Sequence, residues 1–542
     1  MWIGACIMRA PKSWILDYVK LPKNLTDQEI ADGLVRVGFE VEEIVVQGPD
    51  LSGPLVVGKV LAIEELKEHK KPIRYVELDC GEGKSRFVIC GAQNFVVGDL
   101  IVAALPGAVL PGNFAISARE TYGKTSNGMI CSAKELGLGD DHSGIIVLPT
   151  GCAAPGSDAI ELLQINDTIF DIAVNPDRGY ALSIRGVARE IAAAFDLDFK
   201  DPADFSFDLK GSGNAVTAKI SDGADVMFLR TLENFNPAAA TPIWMARRIE
   251  KCGMRSISLA VDITNYVMME LGQPLHAFDA DQISGDLEIR RAGSSKKLKT
   301  LDEVERNLNS DDLVVADNKK VLALAGTMGG QESEISEKTS RIAVEAVHFD
   351  AMSIAKNSRR HRLSSEASRR FERGVDPKLA EISSARAATL LMELGGAKYV
   401  GTSSFGKVSE AAKINLDPEY ISKRIGLSIS TTIVREKLEL AGCIVEGEKQ
   451  LRVTPPTWRS ELLSPADLSE EVARYIGYDQ IPSILPNRKT TADLMPSQKR
   501  KRVLAQTLVA RGYTEILNFP FVNRDLIDRM GFVGARAESY KM

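Results

Sequence analysis

Between residues 50 and 157 the sequence changes character. Short Val/Ile-rich runs, LVVGKVLAI, RYVELDCG, SRFVICGAQN, DLIVAALPGAVLPG and GIIVLP, alternate with Gly/Pro/Asn turns. Many short strands separated by turns close most readily on themselves, because closure removes exposed sheet edges. A length of about 100 residues suits an OB-type barrel with loops. On either side the pattern is α/β. Residues 24–37 carry apolar side chains at helical spacing, Gly38 ends the run, and FEVEEIVV alternates as a strand. After the barrel, DTIFDIAVNPDRGYALSIRGVAREIAAAF reads as a strand, an Asn-Pro-Asp turn and a helix from about Leu182 to Phe195. The barrel, 49–157, is therefore expected as an insertion that splits a scaffold domain into 1–48 and 158–208.

A chain of 542 residues cannot fold around one core, so several domains are required and the class is multidomain α+β. The net charge of −6 leaves no overall basic footprint, so nucleic-acid contact falls to local patches. In the barrel the candidates are Lys59, Arg74, Lys84, Arg86, Arg119 and Lys124. Seven cysteines are scattered without a Cys-x-x-Cys pair. That speaks against zinc or redox motifs and fits a reducing, cytoplasmic location. No apolar run is long enough to span a bilayer, so no membrane partner is expected. The start, MWIGACIMRAPKSW, makes a poor signal peptide, and Met8 is an alternative start.

The stretch LAVDITNYVMMELGQPLHAF, residues 259–278, organises the next region. Asp262 is read as a helix cap. Ile263, Tyr266, Val267 and Leu271 form an apolar face, and Gly272 and Pro274 stop the helix. The chain emerges at His276, one of five histidines. With Thr264 and Asn265 on the first turn, a hydroxyl, an amide and an imidazole are expected close together. Taken alone, such a histidine is more often a packing or capping residue than a catalyst.

Further signals lie in 209–410, read as one α+β domain. Gly326-x-x-Gly329-Gly330 follows an apolar strand; it suits a tight turn or the close approach of backbone to a ligand. Glu345 falls inside the apolar run IAVEAVHF, so its carboxylate is either buried or at a strand end in water. From Lys356 to Arg373 seven Lys/Arg face two Glu, a solvated helix face or a phosphate-binding surface. Within that run, Ser364–Ala367 reads as a helix cap.

Residues 411–487 read as a compact helical, winged-type module. Asp467, Glu470 and Glu471 share a helix face, with Glu461 in the preceding loop. Four converging carboxylates suit a hard cation such as Mg2+. The Ser464-x-x-Asp467 capping box and Pro465 at the first helical position account for the helix start without one. Residues 488–542 begin another element, a basic-led amphipathic helix followed by a strand reaching Pro520.

Cys90–Asn94, Gly98–Gly112 and Thr121–Gly139 together resemble the EMAP-type tRNA-binding domain. The succession of barrel, opening stretch, GTMGG loop, SSEASRRFERGVDP and WRSELL…DLSEEVARYIGYDQIP resembles the β subunits of bacterial phenylalanyl-tRNA synthetases, from about Met8 to the end. The resemblance implies an α2β2 heterotetramer in which an α subunit charges tRNA(Phe) using ATP. It also implies an editing site on this chain that hydrolyses tyrosine mischarged on that tRNA. The family's editing pocket falls on Thr264, Asn265, His276, Ala277, Gly326, Gly329, Gly330, Glu345 and Ala367, with Ser365 where related chains often have Thr. The family's Mg2+ site falls on Glu461, Asp467, Glu470 and Glu471, with Glu461 standing where Asp is usual. Family members run on through a class II catalytic-like domain and an anticodon-binding domain, of which 488–542 supplies only the opening, so a fragment and a short form are both open. A non-catalytic tRNA-binding scaffold and a stand-alone trans-editing hydrolase are the alternatives.

In the editing reading, Glu345 reads the tyrosine hydroxyl, and His276 with Asn265 and Thr264 orients the water or the ester carbonyl. Whether His276 is a general base is open, since the tRNA's terminal hydroxyl can assist. Backbone N–H groups of the glycine loop are expected to stabilise the oxyanion, and the 356–373 run to hold acceptor-end phosphates.

Overall fold

The computed structural model describes residues 6–66, 72–139, 142–409, 411–487, 493–518 and 524–531. The chain forms two compact units, Met1–Pro482 and Ser483–Met542.

In the first unit, three antiparallel strands pair in the order Cys6–Pro11, Asp167–Val174, Glu40–Gln47. The middle strand comes after the Val/Ile-rich segment in sequence, so that segment leaves from one edge strand and returns as the centre of the sheet. Helix Asp27–Arg36 starts on a Thr26/Glu29 capping box, and helix Ile184–Phe195 on the Ser183 hydroxyl. These elements pack around Trp14, Ile30, Leu34, Phe170 and Ile191.

The Val/Ile-rich segment folds into a strongly interleaved sheet in the order Met129–Ile130, Leu100–Ala104, Leu55–Leu66, Ile73–Asp79, Ser85–Cys90, with Val147–Leu148 also on Leu100–Ala104. It is a half-barrel and not a continuous ring of ladders. Its two ends meet through single bonds: the Asn127 N–H donates to the Phe87 carbonyl, and the Ile89 N–H to the Ser126 hydroxyl.

Two sheets build the central region. One runs Leu275–Asp279, Ile342–Phe349, Ala224–Glu233, Lys398–Gly406, all antiparallel. The other runs Ala218–Ile220, Leu287–Arg291, Leu313–Ala316, Val321–Leu324, Met328–Gly329. Met227, Leu229, Phe278, Leu313, Val315 and Val347 fill the space between them. The opposite face of the first sheet presents Leu232, Ala277, Ile342 and Val344 to the core shared with helices Leu259–Leu271 and Leu379–Gly395. Both faces of Ile342–Phe349 are thus covered, which explains its nearly continuous apolar run.

The helix expected from Asp262 begins earlier, at Leu259, with Ser258 at the cap position. Asp262 is fully buried inside the first turn. Its carboxylate reaches back to accept from the Ile257 N–H (2.8 Å) and the Ser256 (2.6 Å) and Thr241 (2.5 Å) hydroxyls. Asp262 therefore ties the preceding loop to the helix. Tyr266 stacks on Trp14, ring centroids 4.8 Å apart, so this helix belongs to the scaffold core as much as to its own domain.

The next module adds a small antiparallel sheet, Ile414–Leu416, Leu451–Thr454, Ile444–Glu446, to helices Pro418–Ile425, Thr431–Leu440 and Pro465–Ile476. In the second unit, helix Pro496–Ala510 buries none of its side chains. The strand expected after it is absent over 513–518, which are irregular; the rest of that expectation lies outside the described residues. Among the described residues no helix is long and apolar enough to cross a membrane.

Candidate active site

The first-sheet strands place His276 directly opposite Glu345. Side chains alternate across a strand, so His276 and Phe278 face the second sheet while Ala277 turns to the helical core. Glu345 points the same way as Ala343 and Val347. It is mid-strand and 5% exposed, so of the two sequence readings the buried one holds. Together these residues border a cavity of about 80 Å³ lined also by Pro274, Gly326, Thr327, Gly329, Ala367 and Phe371.

The chemistry of the cavity lies in two buried atoms. Oε1 of Glu345 and Nε2 of His276 are covered and have no hydrogen-bond partner. Burial pushes the Glu345 carboxyl up to about 8 and the His276 imidazole down to about 4. At neutral pH the pair is therefore mostly a carboxylic acid and a neutral imidazole. Each can both donate and accept a hydrogen bond.

Gly329 makes the room. A Cβ there would sit 2.5 Å from His276 Cε1, so only glycine leaves the ring its place. Gly326 has φ +58°, and a Cβ would meet Ile354 and Phe371 at 2.9 Å. Gly330 serves the hairpin instead: its N–H donates to the Leu322 carbonyl at 2.7 Å, and it is not among the cavity-lining residues. The Thr327 N–H is likewise spent on Leu324. The expectation that glycine-loop amides await an oxyanion is thus not met at these two positions.

Other expected residues sit apart. Thr264 lies on the second turn of its helix and donates its hydroxyl to the Val261 carbonyl at 2.7 Å. Neither it nor Asn265 borders the cavity, and Ala277 faces away from it. Ser365 acts on the wall from behind. It caps helix Glu366–Phe371 through the Ser368 N–H and donates to the Thr327 carbonyl at 2.7 Å, locking the helix that carries Ala367 to the glycine loop. Of the lining residues, Thr327 lies inside the Gly326–Gly330 loop expected at the site, Pro274 reads in the sequence only as the stop of the preceding helix, and Phe371 was not expected there.

The 356–373 run does not form one basic surface. Arg370 is buried and donates to the Leu182 carbonyl; Arg360 pairs with Asp312, and Arg369 with Glu366. Lys356, Arg359 and Arg362 remain exposed. In the half-barrel, Arg74 pairs with Glu65, Arg86 with Glu82 and Lys124 with Glu64, while Arg119 lies 5.3 Å over the Phe114 ring. Lys59 and Lys84 are exposed.

The four acids expected to hold Mg2+ are engaged otherwise. Glu471 accepts from Arg459 (2.6 Å), Arg474 (2.8 Å) and Arg178 (3.1 Å). Burial raises its pKa, but the Arg459 and Arg474 guanidiniums outweigh that and hold it far below the usual carboxylate range. Glu461 is bonded to Arg459, and Glu470 to Arg178 at 3.3 Å. Asp467 closes the helix cap on the Leu463 and Ser464 N–H groups. Among the described residues no group of three or more His, Cys, Asp or Glu is arranged to hold a metal ion. This donor set, already spent on guanidinium and backbone groups, does not fit a cation. It acts instead as a clamp: Arg474 also reaches Glu190 of the scaffold at 2.7 Å.

Four domain families match this chain in order. A tRNA binding domain covers residues 55–158, the B3/4 domain 223–396, the tRNA synthetase B5 domain 414–478, and the phenylalanyl tRNA synthetase beta chain CLM domain 481–541. Together they define a chain of the aminoacyl-tRNA synthetase class. Proteins called phenylalanine–tRNA ligase beta subunit match it at 49% identity in Thermobifida fusca (96% of this chain), 47% in Streptomyces avermitilis (97%) and 44% in Corynebacterium glutamicum (98%). The chain is similar to these β subunits along nearly all of its own length, and it spans 64% of the length of each of these three relatives.

Proposed function

We propose that this chain acts as a β subunit of phenylalanine–tRNA ligase and hydrolyses tyrosyl-tRNA(Phe) in the cavity between the two central sheets. The observation that carries the reading is Glu345: a carboxyl buried mid-strand, with Oε1 unpartnered at the cavity wall. An apolar phenylalanine pocket elsewhere cannot strongly reject a ligand that merely adds a hydroxyl. A site with a buried hydrogen-bonding group can, because phenylalanine would leave that group unpaired. Protonated Glu345 both gives a hydrogen bond to a phenol oxygen and accepts one from its hydroxyl.

His276, uncharged at neutral pH, accepts a hydrogen bond from the attacking water and orients it toward the ester carbonyl. Water adds to that carbonyl, the ester C–O bond breaks, and tyrosine and the free terminal hydroxyl of the tRNA leave. Gly329 keeps the ring in place, and Ser365 holds the Ala367 wall against the glycine loop. The half-barrel, read as OB-type, contributes tRNA contact through the exposed Lys59, Lys84 and Arg119. ATP-dependent charging with Mg2+ belongs to an α subunit in an α2β2 assembly in the cytoplasm, and no step of it runs through Glu461, Asp467, Glu470 or Glu471.

Single-turnover deacylation of tyrosyl-tRNA(Phe) by this chain, beside His276→Ala, tests the reading. Rapid hydrolysis that the variant loses supports it. Folded chain that releases no tyrosine, with or without an added α subunit, contradicts it and favours a tRNA-binding scaffold.

A further inference from the structure

The register that sets His276 opposite Glu345 has an irregular origin. The His276 strand begins at Leu275, which faces Ala346. The rung before it would pair residue 274 with Val347. Carbonyls of alternate residues in a strand point to the same side, so Val347, like Glu345, turns its carbonyl toward the His276 strand. Residue 274 is a proline and has no N–H to offer that carbonyl.

The missing donor comes from the neighbouring side chain. Gln273 Nε2 donates to the Val347 carbonyl at 3.0 Å and to the Pro274 carbonyl at 2.9 Å. Both partners are acceptors, which fixes the orientation of the amide. Gln273 is fully buried, and its Oε1 has no partner. A glutamine kept dry with half its amide unsatisfied is costly unless the other half is needed where it stands. Pro274 and Val347 both line the cavity. A slip of one residue in this register would turn His276 to the helical face now occupied by Ala277 and remove it from the site.

We propose that Gln273 is a positioning residue of the cavity: its side-chain amide replaces the N–H that Pro274 lacks, and so pins the strand register that places His276 across from Glu345. Its activity readout rests on the editing reading; its structural readout does not.

The test is a cycle in the full chain: Gln273→Met, Pro274→Ala and Gln273→Met/Pro274→Ala. Alanine at 274 restores a backbone N–H that can reach Val347, so the double variant is expected to recover what the glutamine change loses. Two quantities are read: hydrogen exchange of the 275–279 amides, and single-turnover hydrolysis of tyrosyl-tRNA(Phe). Gln273→Met should speed exchange in that strand and slow hydrolysis on the order of tenfold or more, the scale of a misplaced catalytic group. The double variant should return both toward the values of Pro274→Ala alone, in which the 275–279 amides should exchange at close to the native rate. A double variant as impaired, or as poorly folded, as Gln273→Met overturns the proposal, as does a Gln273→Met chain with native exchange. If the native chain hydrolyses nothing, the editing reading fails and the exchange cycle alone decides the role of Gln273.

Discussion

His276 and Glu345 occupy one rung of two antiparallel strands, and each holds a covered polar atom, Nε2 and Oε1, without a partner. An unsatisfied buried group costs about 1–3 kcal/mol. Two of them at one cavity wall are a cost that a ligand hydroxyl at Glu345 and a water at His276 would relieve. Stability and specificity are therefore opposed at this rung.

The carboxyl makes stability depend on pH. Folded Glu345 holds its proton up to about 8, whereas the ordinary value is 4.5. Between these values the folded state binds more protons, so stability falls as pH rises. His276 acts in the opposite sense at lower pH: it titrates near 4 when folded against 6.5 ordinarily, so its contribution rises with pH across that interval. Between pH 6.5 and 8 the Glu345 effect outweighs the fading His276 one, so stability falls at a slope below the one-proton limit of about 1.4 kcal/mol per pH unit. Urea unfolding across that window is expected to show the fall in the native chain and a flatter profile in Glu345→Gln. Equal slopes would mean that Glu345 is ionised in the fold.

Gly329→Ala is expected to act on the imidazole first. The added Cβ would stand 2.5 Å from His276 Cε1, and the residue has no left-handed backbone to strain. Overpacking of this kind costs about 1–3 kcal/mol, too little to unfold a chain of this size. Thermal melting should show a folded protein, and deacylation should drop as steeply as in His276→Ala. Native activity would show that the ring can move without consequence.

The clamp between scaffold and module gives a prediction about metal. Arg474 is fully buried and joins Glu471 to Glu190. Arg474→Met leaves both carboxylates short of a partner in a dry environment, a loss of about 3–5 kcal/mol. Because guanidiniums already neutralise these acids, the melting temperature of the native chain should be the same in EDTA and in millimolar Mg2+. A magnesium-dependent rise abolished by Glu471→Gln would place a cation at the acids instead.

Much of this was legible in the sequence because periodicity reports burial. The Ile263, Tyr266, Val267 and Leu271 face lies in the core as read, and Glu345 stood out because a carboxylate breaks an apolar strand. The sequence was less informative where one residue type serves two purposes. Asp262 looked like a cap because acids favour helix starts, yet it sits within the first turn and reaches back to the loop. Glu461, Glu470 and Glu471 looked like a cation cage, but the arginines that claim them include Arg178, nearly 300 residues away in sequence, by 293 positions from Glu471. Thr264 lies near His276 in sequence, but its hydroxyl turns onto its own helix. Pairings of that kind are set by tertiary packing and leave no local pattern. Gln273 is the reverse case: Pro274 beside it reads in the sequence only as a helix stop, and the position of Val347 shows why its missing N–H matters.

The most direct test of the central claim is the ratio of single-turnover hydrolysis rates for tyrosyl- and phenylalanyl-tRNA(Phe), in the native chain and in Glu345→Ala. The account predicts a strong native preference for the tyrosyl ester and its collapse by about 10²-fold or more in the variant, because the group that pairs with the phenol hydroxyl is gone. A Glu345→Ala chain that still strongly prefers the tyrosyl ester would contradict it.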